Sequence, residues 1–222
     1  ISPTSPISSI SGATSGAAPR AAPLRVVILL RGDTQQDASL NQTDGNERRA
    51  FASPGAVRDE LLSALPPGAS LHTFVTAGDA PLCEQVQWVH GASIVLSPHG
   101  AHLTNALWMA RGALLLEVMP WGMWDYPRTY TGLLKGAGVL HERLLSLRPP
   151  AGAPHFVNET TGEQEGDQAR CGRHEPCRRF YRAHSSLRLP PGRLCAALQR
   201  RPEFRGAATP CRAANTTVQL IP

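Results

Sequence analysis

Short apolar segments alternate with amphipathic helical segments between residues 24 and 148, and this alternation constrains the fold more than any other feature of the sequence. The segment 24–30 is typical of a strand buried on both faces, further strands are predicted at 71–76, 92–96 and 113–119, and a fifth is expected at 139–145. Such β–α alternation predicts an α/β fold, a Rossmann-like domain whose parallel sheet is built from right-handed crossovers.

The intervening helices are indicated by their starts, stops and spacing. Ser53-Pro54 resembles a helix cap followed by a first-turn proline, and Val57, Leu61 and Leu65 follow at helical spacing. The Pro-Pro-Gly sequence at 66–68 ends that helix, and further helices are predicted around 82–89, 103–110 and 129–135.

The segments on either side of this domain differ from it in composition. Residues 1–23 are rich in Ser, Ala, Pro and Gly, which predicts a disordered linker. Residues 149–222 are interpreted as an irregular, cysteine-containing tail with a short helix near 193–200. The predicted organisation is therefore linker 1–23, Rossmann-like domain 24–148 and tail 149–222.

Cysteines and glycosylation triplets favour a lumenal or extracellular protein. Four of the five cysteines follow residue 170, as expected for local disulfides, whereas Cys83 is expected to be a buried free thiol in a helix. Asn41, Asn158 and Asn215 each begin a possible N-glycosylation triplet. The sequence contains neither a membrane-spanning run nor a visible signal peptide, so any membrane anchor is expected upstream.

The formal net charge is +5, and Lys135 is the only lysine, so arginine carries nearly all the positive charge. Arginine suits bidentate recognition of phosphate and carboxylate, although a GC-rich coding sequence would also enrich it. The arginines are dispersed and no aromatic stacking pattern accompanies them, which argues against a nucleic-acid partner.

Three polar features follow predicted strands. Arg31 directly follows the first strand, Ser97 to Thr104 connects the third strand to a helix, and Glu117 lies near the end of the fourth. Since the carboxyl ends of parallel strands share one edge, where ligands bind in such sheets, we expect these features to lie together.

The segment after the third strand is the most informative of the three. Gly100 would let a phosphate approach the backbone, the N–H groups of the following helix would face the anion, and Thr104 would add a hydroxyl. His99 would donate to a phosphoryl oxygen or act as acid or base. The alternative is a tight turn that merely needs glycine.

The remaining candidates also have two readings. Arg31, Arg48 and Arg49 would clamp a diphosphate, or the arginine pair is solvated. A charge in an apolar strand is costly without a partner, so Glu117 binds ribose hydroxyls or a buried arginine. Aromatic side chains that follow it either line a sugar or base pocket or pack in the core; they are Trp121, Trp124 and Tyr126.

These motifs, in this order over residues 25–145, resemble glycosyltransferase family 61. Residues 95–108 match its segment hydrophobic-S-x-H-G-A-x-L-T-N-x-L-F, residues 111–113 match its x-G-A turn, and residues 116–120 match its strand containing glutamate and ending in proline. The earlier arginines resemble its hydrophobic-R…R-R pattern. Ala110 stands where proline is usual, and His102 stands where glycine or glutamine is common.

The resemblance implies the carboxyl-terminal, donor-binding half of an inverting GT-B glycosyltransferase that transfers xylose or GlcNAc from a UDP-sugar without a metal ion. It implies diphosphate contacts from Arg31, Arg48 and Arg49, and a ribose contact from Glu117. It also implies an anion site at the helix start, formed by His99, Gly100, Ala101, Leu103 and Thr104. His99 is the only catalytic base expected within this chain.

The resemblance further implies particular partners and a location. Expected partners are the UDP-sugar, a glycan or glycoprotein acceptor and an amino-terminal half outside this chain. The expected location is the Golgi or endoplasmic reticulum lumen, as part of a type II membrane protein. The alternatives are a non-catalytic binding module that keeps the fold and a hydrolase using His99, which is disfavoured because no nucleophile elbow or carboxylate pair is present.

Overall fold

The computed structural model describes residues 23–31, 49–76, 80–123, 129–158, 160–162 and 164–201. Predictions on residues 1–22, and on Asn41, Arg48, Trp124, Tyr126 and Asn215, lie outside these ranges.

The described residues form a parallel sheet in the order β2-β1-β3-β4-β5. The strands are β1 (Arg25–Arg31), β2 (Ser70–Thr76), β3 (Ile94–Pro98), β4 (Leu114–Met119) and β5 (Leu140–Leu145). All five predicted strands are present, and their parallel pairing confirms the Rossmann-like α/β fold. The strand order reverses between β1 and β3, which creates a crevice at the carboxyl ends of these two strands.

Helices cover both faces of this sheet. They are α1 (Pro54–Ala64), α2 (Leu82–Val89), a 3₁₀ helix (Ala101–Trp108), α3 (Thr129–Ala137), α4 (Gln168–Arg173), α5 (Glu175–His184) and α6 (Arg193–Gln199). Helices α1 and α6 contact each other, while α2 and α3 both contact the 3₁₀ helix. Neighbouring strand residues such as Val27 and Ile28 enter separate cores because successive side chains point to opposite faces.

Helix α1 begins as the sequence predicts and ends one residue earlier. Ser53 is its N-cap and Pro54 occupies the first turn. Leu65 has extended backbone angles, φ −89° and ψ 147°, because a following proline disfavours the helical conformation. Leu65 nevertheless packs against the same core as Leu61.

The segment after residue 148 contains more regular structure than its sequence suggested. The short helix α6 was predicted, whereas α4 and α5 were not. Asp167 caps α4 by accepting hydrogen bonds from the backbone N–H groups of Ala169 and Arg170. Leu194 and Leu198 of α6 are fully buried in the core shared with α1 and the sheet.

The described cysteines after residue 170 are disulfide-bonded and Cys83 is free, as predicted, but the predicted burial of Cys83 needs correction. Cys171 and Cys177 form a disulfide that joins α4 to α5, and Cys195 is also disulfide-bonded. Cys83 is free but exposed, so its predicted burial is wrong. The reason is its position on α2, which buries Trp88 and Val89 and leaves Cys83 on the outer side of the helix.

None of the helices in the described ranges has the length and apolar character needed to cross a bilayer.

Candidate functional site

The three sequence features expected to converge lie along the carboxyl edge of the sheet. Arg31 is the last residue of β1, where it pairs with Thr76 of β2. Strand β3 ends at Pro98, directly before His99, and Ser97 pairs with Glu117 of β4. Glu117 and the segment that begins at His99 therefore lie beside the crevice between β1 and β3.

Glu117 is held between two histidines. Its Oε1 lies 2.5 Å from Nδ1 of His99, and its Oε2 lies 2.8 Å from Nε2 of His141. Only 2% of Glu117 is exposed. Burial alone would raise its carboxyl pKa, but hydrogen bonds and charge from the two imidazoles outweigh that effect and lower the pKa to about 2. Glu117 is therefore a carboxylate at neutral pH.

Ionisation of Glu117 determines which imidazole nitrogens carry protons. A carboxylate only accepts hydrogen bonds, so Nδ1 of His99 and Nε2 of His141 both donate to it. In neutral His99 the lone pair is then on Nε2. In neutral His141 the lone pair is on Nδ1, which lies 3.1 Å from the hydroxyl oxygen of Thr131 and accepts a hydrogen bond from that hydroxyl. Hydrogen bonds therefore link Thr131, His141, Glu117 and His99 in a continuous chain.

No group of three or more His, Cys, Asp or Glu side chains within the described part of the chain is arranged to hold a metal ion.

Arg49 is joined to the same site. Its side chain is buried, with 8% of the residue exposed, and Nη1 donates to the carbonyl oxygen of His99 at 2.9 Å. Its backbone has φ 70°, which is uncommon for a residue other than glycine, and its N–H donates to the carbonyl of Ser185. The structure thus places Arg49 with His99 and Glu117. Of Arg31 it gives the backbone position, and Arg48 lies outside the described residues.

The helix after His99 differs from the expected one. The sequence predicted a helix at 103–110, and the structure has a 3₁₀ helix that begins two residues earlier. Its i→i+3 pattern commits the N–H of Leu103 to the carbonyl of Gly100, at 3.1 Å. The Leu103 side chain is buried in the core. The N–H of Ala101, the first residue of this helix, precedes its first hydrogen bond.

Two side chains of the 3₁₀ helix bond locally. The Thr104 hydroxyl, expected to donate to a ligand, instead donates to the carbonyl of Ala101 at 2.9 Å. Nε2 of His102 lies 2.7 Å from the hydroxyl oxygen of Ser97. Short polar side chains such as Thr and Asn compete for backbone hydrogen bonds, which accounts for the weak preference of this segment for an α-helix.

The loop after β4 is fixed by packing. Trp121 is buried, and its ring meets that of Tyr181 edge to face at 4.7 Å. Gly122 has φ 79°, and a Cβ there would lie 2.6 Å from Sγ of Cys171. Of the two interpretations of Trp121, the structure therefore supports packing over a pocket wall.

Sequence reasoning missed His141 and Thr131. The signal lies in the three successive polar residues His141, Glu142 and Arg143 of β5, because successive side chains of a strand point to opposite faces and at least one must lie on the same face as Glu117. His141 pairs with Leu115 in the register and reaches diagonally to Glu117. Finding it required knowing that β5 is the neighbour of β4.

Comparison with known proteins supplies the family. No curated protein matches the chain. Residues 17–116 match the family model described as Glycosyltransferase 61. The matched stretch contains all three candidate arginines and the segment 97–104, and it ends one residue before Glu117. Over these residues the match supports the predicted similarity to glycosyltransferase family 61, and with it a glycosyltransferase function in general.

Proposed function

We propose that this chain is the donor-binding half of an inverting GT-B glycosyltransferase that uses a UDP-sugar, with xylose or GlcNAc as candidate sugars. The observation that carries the proposal is the junction of Arg49 and His99 at the carboxyl edge of the sheet, immediately before the start of the 3₁₀ helix. In sheets of this topology, ligands bind at that edge.

The chemistry of this junction suits a departing nucleotide. When the bond from the anomeric carbon to UDP breaks, negative charge develops on the diphosphate. A guanidinium and backbone N–H groups at a helix start stabilise such charge when they are already in place. The buried Arg49 and the N–H group of Ala101 are the described groups proposed for this role. Arg31 is a further candidate because of its place at the end of β1.

The reaction is proposed to be a single displacement. An acceptor hydroxyl oxygen bonds to the anomeric carbon, the bond to UDP breaks, and the hydroxyl proton passes to a base. His99 is the base proposed within this chain, since Glu117 fixes its proton on Nδ1 and leaves the lone pair on Nε2. The alternative source of the base is the amino-terminal half of the enzyme.

Glu117 and Thr104 are proposed to act differently, Glu117 through His99 and Thr104 by contact with the nucleotide. A ribose contact by Glu117 stays a prediction, and its buried carboxylate already accepts from two imidazoles. We therefore propose that Glu117 acts first by holding His99. Thr104 is proposed to reach the nucleotide only if its hydroxyl leaves the carbonyl of Ala101.

The proposed location is the Golgi or endoplasmic reticulum lumen, with a glycan or glycoprotein as acceptor and attachment to the membrane through an upstream anchor. The disulfide between Cys171 and Cys177 supports an oxidising compartment.

Nucleotide binding tests the proposal. UDP is titrated against the 222-residue chain by calorimetry, with ADP as the control nucleotide. Arg49→Ala is expected to weaken UDP binding roughly tenfold or more, since a hydrogen bond to a charged group is worth at least 1.4 kcal/mol or so. Arg58→Ala, which removes an exposed arginine from α1, is the matched control and should bind UDP as the wild type does.

Three outcomes would contradict the proposal: no UDP binding by the wild type, equal binding of ADP, or unchanged binding by Arg49→Ala. The first would favour the alternative of a binding module that keeps the fold and lacks a donor site.

A further inference from the structure

The histidine on β5 is buried at the candidate site and takes no part in the function proposed above. Only 4% of the His141 side chain is exposed, yet the residue lies on the outermost strand of the sheet. Its Nε2 donates to Glu117, and its Nδ1 accepts from Thr131 of α3. Both ring nitrogens therefore bond to groups from neighbouring elements.

His141 shares its carboxylate partner with the candidate site. Glu117 also accepts from His99, and the two imidazoles use different oxygens of the same carboxylate. A rotation of the Glu117 carboxylate would therefore move the His99 ring as well. Thr131 and His141 determine the orientation of the carboxylate on one side, and His99 responds to it on the other.

We propose that His141 is a positioning residue of the donor site, which fixes the tautomer and ring plane of His99 through Glu117. The inference rests on the proposed function in one respect, namely that His99 belongs to the donor site. His141 itself is not proposed to touch the nucleotide or the sugar.

Loss of His141 has a direct physical consequence. It would leave a buried carboxylate with one imidazole partner instead of two, and a buried charge with fewer partners becomes costly. The carboxylate would turn toward other donors or bind a proton. In either case Nδ1–H of His99 would lose the fixed acceptor that selects its tautomer.

Two substitutions of His141 distinguish the role of its N–H donor from the role of its side-chain volume. His141→Leu keeps an apolar side chain of similar size and removes the donor. His141→Gln retains an N–H group near the position of the imidazole Nε2, so it should rescue the contact with Glu117. His90→Leu is the control, because His90 is an exposed histidine at the end of α2.

Nitrogen-15 NMR of the imidazole rings reports the tautomer of His99 directly, with His99→Gln used to assign its signals. In neutral His99 of the wild type we expect Nδ1 to be protonated and Nε2 unprotonated. His141→Leu should give a mixture of the two tautomers, because the Glu117 carboxylate is then held on one side only. His141→Gln and His90→Leu should retain the wild-type tautomer.

The proposal is overturned if neutral His99 carries its proton on Nε2 in the wild type, or if a folded His141→Leu protein retains the wild-type tautomer of His99. If His141→Leu does not fold, Thr131→Val decides the question. That substitution removes only the hydroxyl that holds Nδ1 of His141, and an unchanged His99 spectrum would then overturn the proposal. The spectrum is recorded on the ligand-free protein and does not depend on nucleotide binding. Failure of UDP to bind would therefore refute the donor site, whereas a changed spectrum tests only the tautomer of His99.

Discussion

Arg49 Nη1 donates to the carbonyl oxygen of His99 at 2.9 Å, although the two residues are 50 positions apart in the chain. The backbone of Arg49 is in turn held by the carbonyl of Ser185, at 3.0 Å. Phe51 continues this pairing with Leu187. A segment after residue 148 therefore helps to fix an arginine at the edge of the sheet.

The positive φ of Arg49 predicts different effects for two substitutions at this position. Arg49→Ala and Arg49→Gly both remove the guanidinium and should weaken UDP binding equally. Glycine, however, adopts φ 70° without the steric penalty that alanine suffers. Arg49→Gly should therefore be more stable than Arg49→Ala by roughly 0.5–1 kcal/mol in urea unfolding, after allowance for the greater freedom of glycine in the unfolded chain. Equal stabilities would contradict this account of the backbone.

The lowered pKa of Glu117 predicts how stability depends on pH. Because the folded-state pKa is about 2 and the ordinary value is 4.5, the contribution of this carboxylate is complete above pH 4.5. It is lost as the pH falls from 4.5 toward 2. Its full size is about 3 kcal/mol, from 1.4 kcal/mol for each unit of pKa difference.

Glu117→Gln should therefore be less stable than the wild type at pH 7, and the difference should shrink as the pH falls. The measurement is urea unfolding at intervals between pH 7 and pH 3. Glu175→Gln is the control, since the Glu175 side chain is 59% exposed and its removal should leave the slope unchanged. A constant difference between wild type and Glu117→Gln across this range would refute the paired carboxylate.

The sheet could be predicted from the sequence because its central strands β1, β3 and β4 are short, nearly continuous apolar runs. Each strand needs only local periodicity to be recognised, and parallel pairing then follows from the helices between them. Helices α4 and α5 escaped prediction because their segment is rich in arginine, glycine and cysteine. Their stability depends on a disulfide and on aromatic packing around Tyr181, which have no local periodic signal.

The candidate site was predictable only in part. His99 and Glu117 could be placed at one edge because strand ends are local features and parallel topology aligns them, whereas Arg49 was a candidate only as part of an arginine pair and of the family's motif. The partners of Glu117 could not be deduced, because they depend on strand order and register. An arginine partner was expected as one alternative, whereas the neighbouring strand supplies His141.

Gly122 is predicted to be intolerant of a side chain for two separable reasons. Its φ of 79° is strained for any other residue, and an added Cβ would lie 2.6 Å from Sγ of Cys171 and 3.1 Å from the Tyr181 ring. Gly91 has a similar φ of 71° with nothing within 4 Å of an added Cβ. Gly91→Ala should therefore cost roughly 0.5–1 kcal/mol, which is the backbone penalty less the gain from a less flexible unfolded chain.

Gly122→Ala should cost about 1–3 kcal/mol more than Gly91→Ala, since overpacking displaces neighbouring atoms in a dense core. Thermal or urea unfolding of both variants gives the comparison. The disulfide should also become more sensitive to reducing agent in Gly122→Ala, because the clash is with its own sulfur. Equal destabilisation of the two variants would show that the contact between the loop and the disulfide is loose.

The carboxylate of Glu60 in α1 predicts that the segment after residue 148 is needed for folding of the sheet domain. Its Oε1 accepts from the backbone N–H of Leu194 at 2.8 Å and so caps the start of α6. Glu60→Ala should cost about 1 kcal/mol, as loss of a helix cap does, whereas Asp59→Ala on the exposed side of α1 should cost little.

Leu198→Ala should cost about 2–5 kcal/mol because Leu198 is fully buried. A chain ending at residue 148 lacks all these contacts and should not unfold cooperatively in urea; a sharp transition there would instead establish residues 24–148 as an independent domain.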